Sequence, residues 1–82
     1  MSKLLSVNPL TEHRIEVRFN DGVQGIVDLS KSLYGPMFEP LKQPDFFQKA
    51  RVDEFGAVAW PNGADLAPEV LYEQVKRHAQ AA

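Results

Sequence analysis

The stretch RIEVRFNDGVQGIVDL, residues 14–29, limits what this chain can fold into more than any other. Over residues 14–20, Ile15, Val17 and Phe19 fall on one side, and Arg14, Glu16, Arg18 and Asn20 fall on the other. Successive side chains of an extended strand point to opposite faces. A period of two therefore means one buried and one wet face, as in an antiparallel sheet. Asn20-Asp21-Gly22 follows, a run of residues that tolerate positive φ, and it predicts a hairpin with residues 23–29 as the returning strand. Gly25 interrupts that strand and is expected to mark a bulge. Ahead of the hairpin, residues 3–9 read as a short first strand closed by Pro9, which has no N–H for a ladder.

Residues 30–50 change character. Ser30 or Ser32 can cap a helical turn, but Gly35-Pro36, Pro40 and Pro44 exclude a long helix. Short helical or 3₁₀ turns are expected over residues 33–41, and a second short helix over residues 45–50. Leu33, Tyr34, Met37, Phe38, Leu41, Phe46 and Phe47 supply apolar mass to cover the sheet. Residues 51–55 and 57–60 flank Gly56 and read as a second hairpin. From Leu66 onward the period lengthens to three and four. Val70, Leu71 and Val75 form a stripe opposite Glu69, Glu73, Gln74, Lys76 and Arg77. Pro68 suits the first helical position, Glu69 suits the positive end of the helix, and Lys76 and Arg77 suit the negative end. The order predicts one α+β domain over residues 1–82. Its small antiparallel sheet combines a three-stranded meander and a second hairpin, with short helices and a C-terminal helix on one face.

Composition removes several function classes. With 82 residues, 44% hydrophobic and 24% charged, the chain has the make-up of a small globular protein. The formal charge of −2 does not describe a nucleic-acid or anionic-membrane surface. There is no cysteine, hence no disulfide and no thiolate metal site. His13 and His78 stand in no metal-binding spacing and read as solvated. No P-loop, dinucleotide fingerprint or nucleophile elbow is present, so no cofactor, metal or catalytic residue is expected. No run approaches the roughly 18–20 apolar residues of a membrane span. The opening residues lack an apolar run of signal-peptide length, which leads to an expectation of cytoplasmic localisation.

The stretch VAWPNGADLAPEVLYEQ, residues 58–74, is the least ordinary. Pro61 holds Trp60 extended, Gly63 is free to take left-handed backbone, and Asn62 and Asp65 can accept from nearby N–H groups. It reads as a rigid strand-to-helix corner, with Asp65 capping the final helix and Trp60 packed on that helix. The competing reading is a binding lip of Trp60, Asn62 and Asp65. Asp65 and Glu69, four apart, suit acid–base chemistry and equally a cap plus a first-turn acid. Arg14 and Arg18, with Glu16 between them, are candidate nucleic-acid contacts. Leu33, Tyr34, Met37 and Phe38 around Gly35-Pro36 form a candidate apolar patch for a protein partner, the competing reading being that all four pack on the sheet.

The chain also resembles a small bacterial family classed as a domain of unknown function. The resemblance rests on Phe19-x-Asp21-Gly22, on Val27-Asp28-Leu29, and on Trp60-Pro61-Asn62-Gly63-x-Asp65-Leu66-x-Pro68-Glu69-x-Leu71-Tyr72, and it covers roughly residues 7–75. Ala67 stands where members often carry a small polar cap, which moves that role to Asp65. The resemblance implies an α+β fold and brings neither an activity nor catalytic residues. Genes of the family often lie beside other small, uncharacterised or toxin–antitoxin-like genes, which implies a protein partner. The reading is a non-catalytic interaction module, antitoxin-like, whose partner is a second copy or a neighbouring gene's product. The alternatives are a nucleic-acid-binding accessory using Arg14 and Arg18, and a small enzyme using Asp65 and Glu69.

Overall fold

The computed structural model describes the backbone of residues 3–81 and the side chains of residues 3–77; the side chain of His78 lies outside the described residues. Strands β1 (Leu4–Pro9), β2 (Arg14–Phe19) and β3 (Gln24–Asp28) form an antiparallel meander with β2 in the centre. The alternation of β2 has its expected result: Ile15, Val17 and Phe19 are buried, while Glu16 and Arg18 face water. Ile15 lies opposite Val27, and Phe19 opposite Leu4, so the buried faces of all three strands coincide.

Gly25 is not a bulge. The register between β2 and β3 runs unbroken through it, and the irregularity falls in β1 between Leu4 and Ser6. Gly25 sits opposite Val17 on the inner face, where a Cβ would stand 2.9 Å from Val75 Cγ1. The missing side chain makes room for the C-terminal helix.

A second antiparallel sheet is built from β4 (Arg51–Val52), β5 (Val58–Ala59) and β6 (Asp65–Leu66). The expected second hairpin thus carries a third strand, and the Trp60–Gly63 corner is the turn between β5 and β6 rather than a strand-to-helix connection. Two residues of strand are too few to show a period, which is why β6 left no pattern. Between the sheets, a 3₁₀ turn (Glu39–Lys42) runs into the short helix α1 (Pro44–Phe47). Residues 33–38 form turns rather than helix, and α1 ends before residue 50.

Helix α2 (Pro68–Ala81) closes the fold. Among its described side chains Leu71 and Val75, one turn apart, are buried, with Tyr72 half-buried beside them. Val70, expected in the stripe, is 52% exposed. The Ala67 carbonyl accepts from the Leu71 N–H at the helix start. Asp65, expected as the cap, belongs to β6 and makes no hydrogen bond to the helix among the described residues. Phe47, Trp60, Leu41 and Val58 complete one core with the inner face of the meander. Among the described residues no helix is long and apolar enough to cross a membrane.

Candidate interaction surface

Three hairpin turns share one construction, and comparing them locates the surface. In each, the N–H of a glycine with positive φ donates to the carbonyl three residues earlier: Gly22 to Phe19, Gly56 to Asp53, Gly63 to Trp60. The next residue closes the loop, its carbonyl accepting from the N–H of the residue that opens the turn, at 2.8 Å for Phe19–Val23, 2.8 Å for Asp53–Ala57 and 2.9 Å for Trp60–Ala64. Left-handed backbone at the last turn position is the reason for glycine there.

In two of these turns the residue before the glycine is polar and braces the loop. Asp21 Oδ1 accepts from Val23 N–H at 3.1 Å, and Asn62 Oδ1 accepts from Ala64 N–H at 3.2 Å. In the third, that place is held by Phe55, which can accept nothing. The bracing role moves to Asp53, whose Oδ1 accepts from Phe55 N–H at 2.9 Å and from Ala57 N–H at 3.0 Å. Phe55 is left 84% exposed at the tip of a fixed turn. Phe55 falls inside the strand expected over residues 51–55, although Asp53-Glu54-Phe55-Gly56 has the Asp-first, Gly-last form of a turn.

The turn at Trp60 is anchored from both sides. Trp60 is 1% exposed, and its Nε1–H donates to the Phe47 carbonyl at 3.0 Å. Its ring packs on that of Phe47 at 5.9 Å, so the indole rests on α1, in the same core as Leu71 and Val75 of the final helix. The binding-lip reading of Trp60 is therefore corrected: the ring is core. Asn62 is turned inward as well, its Nδ2 donating to the Met37 carbonyl at 2.8 Å. That bond ties the Gly35-Pro36 turn to the β5–β6 hairpin.

On the far side of this tie lies apolar surface. Leu33 is buried, but Tyr34 is 74% and Met37 46% exposed. Phe38 is half-buried against the core. Met37 Cε lies 3.3 Å from where a Cβ of Gly63 would stand, so Met37 rests on the hairpin. From Gly63 and Pro61 the surface continues into an open hollow of about 480 Å³ that ends at Phe55 and is lined also by Arg51, Asp53, Glu54 and Asp65. A second hollow of about 430 Å³ lies beyond Phe55, among Lys3, Leu4, Val52, Asp53, Glu54, Pro68 and Glu69. Asp65 and Glu69 thus face different hollows.

The remaining candidates lie elsewhere. Arg14 and Arg18 are on the outer face of the meander. Arg14 is opposite Asp28, and its Nε donates to the Thr11 carbonyl at 3.3 Å. The backbone N–H and hydroxyl of Ser30, and then the charges of Arg14 and Lys31, hold the Asp28 carboxyl below its ordinary value. His13 is not simply solvated: its Nε2–H donates to the Lys42 carbonyl at 2.8 Å, and its ring meets Phe47 edge-on at 5.3 Å. The imidazole clips the β1–β2 loop to the segment leading into α1. No group of three or more His, Asp or Glu that would hold a metal occurs among the described residues.

These features define a small α+β protein of two three-stranded antiparallel sheets, with a braced apolar ridge on the hairpin side. The family described as "Protein of unknown function (DUF2442)" matches residues 4–77, and the chain belongs to it. No curated protein matches the chain. Among solved structures, the fold is similar to that of the "Putative DNA Binding Protein NE0471 from Nitrosomonas europaea ATCC 19718", with a TM-score of 0.85 at 23% identity over 98% of this chain. The likeness is one of fold. The chain spans 52% of that protein's length.

Proposed function

We propose that the chain is a non-catalytic protein-interaction module that engages another protein through the Tyr34 and Met37 surface. The partner is a second copy or a neighbouring gene's product held in an antitoxin-like complex, within the cytoplasm. The observation that carries this reading is the 74% exposure of Tyr34 next to the turn over residues 35–38, whose Met37 carbonyl Asn62 holds from behind. An aromatic ring presented on rigid backbone loses little entropy on docking, and such rings dominate interface energetics. Affinity purification from the native host tests it. A stoichiometric partner is expected with the native chain and lost with the double variant Tyr34→Ala, Met37→Ala. Monomer alone at micromolar concentration, with no partner, overturns the reading.

A second reading is nucleic-acid binding, favoured by the name of the Nitrosomonas protein and by Arg14 and Arg18 on one wet face. Against it, Glu16 separates the two arginines and Asp28 faces Arg14. This reading requires gel retardation that weakens with salt and with Arg14→Ala, Arg18→Ala.

A further inference from the structure

Phe55 carries an inference of its own, resting on the reading of the chain as an interaction module and naming the partner's chemistry. The β4–β5 turn needs Gly56 for its left-handed backbone, at φ +81, and Asp53 for its bracing bonds. It makes no use of the side chain at position 55. The two sister turns put Asp21 and Asn62 there, each accepting a backbone bond that a phenyl ring forgoes. An aromatic side chain 84% exposed is therefore unexplained by the fold.

Its surroundings say what would cover it. The hollows on either side of the ring include apolar side chains, Ala59 and Pro61 in a mainly polar one, Leu4, Val52 and Pro68 in a more apolar one. Around the first stand Asp53, Glu54 and Asp65 against Arg51; around the second stand Asp53, Glu54 and Glu69 against Lys3. Carboxylates outnumber cations on both sides, and among the described residues Glu54, Asp65 and Glu69 form no ion pair. We propose that Phe55 and its flanking hollows receive a basic segment of a partner protein. Aliphatic or aromatic residues of that segment pack on the ring, and its lysines or arginines reach the two acidic hollows. Arginine and lysine suit such a place twice over, through charge and through the face of the ring. An acidic segment would meet repulsion at both hollows, and a purely apolar one would leave the carboxylates to be desolvated without partners.

The test uses the full chain, immobilised, to select from displayed random peptides. The expected outcome is enrichment of peptides carrying two or more Lys or Arg around an aliphatic or aromatic residue, with binding that weakens as salt rises. Phe55→Ala should weaken the selected peptides about thirtyfold or more, as loss of a buried aromatic anchor does. Glu54→Gln with Glu69→Gln should flatten the salt dependence. All of these side chains are exposed, so unchanged thermal unfolding is the control that the variants fold. Enrichment of non-basic peptides, no enrichment, or unchanged affinity in Phe55→Ala overturns the proposal. Peptides that lose binding with Tyr34→Ala, Met37→Ala but keep it with Phe55→Ala would sink this inference while leaving the interaction reading standing. No native-host partner and no selected peptide would sink both.

Discussion

Trp60 shows how one residue serves two parts of the fold. Its ring is in the core while its backbone opens the β5–β6 turn, and its N–H satisfies the carbonyl that ends α1. Trp60→Phe keeps the apolar contact but leaves the Phe47 carbonyl with only the Ala50 N–H, at 3.3 Å, and opens a cavity. A loss of about 2–4 kcal/mol is expected in urea unfolding. Gly25 acts by absence. Gly25→Ala places a methyl 2.9 Å from Val75 Cγ1 and should cost about 1–3 kcal/mol. Adding Val75→Ala should recover part of that loss, and a double-mutant cycle without coupling would refute the contact.

Besides the shared core, side chains at the turns tie the elements together. The Tyr72 hydroxyl on α2 donates to Asp21 Oδ2 at 2.6 Å, and its ring meets Phe19 edge-on at 4.9 Å. Tyr72→Phe keeps the ring contact and removes the bond. About 0.5–1.5 kcal/mol should be lost, with faster amide exchange in the first turns of α2. Asn62 plays the same part between the hairpin and the Met37 turn. Asn62→Ala should cost about 1 kcal/mol and should weaken partner binding although Asn62 itself faces inward, because Met37 and Tyr34 lose their fixed backing. Of these ties, the asparagine and the aspartate were visible as turn residues. Their partners, 25 and 51 positions away, were not, since no local rule relates positions so distant.

For the whole molecule the formal net charge is small, at −2, and Asp28 is one group whose titration is linked to folding. Asp28 is held below its ordinary value in the folded chain, chiefly by Ser30 and then by Arg14 and Lys31. The folded form therefore binds this proton less readily than the unfolded form. Its contribution is present in full above the unfolded value of 3.8 and fades as pH falls through the lowered folded value. Asp28→Asn should flatten the acid limb of the stability profile below about pH 4 and leave the neutral region little changed. An unchanged acid limb would refute that account.

Strand β2, its hairpin, the fold class and the final helix were determined by sequence alone, because period and turn chemistry are local properties that survive tertiary packing. Tertiary structure decided the rest: that β6 exists, that Gly25 is a seat for Val75, that Trp60 is covered, and that Tyr34, Met37 and Phe55 stay outside. Whether an apolar side chain is buried depends on what the rest of the chain places over it, and a linear pattern does not carry that information.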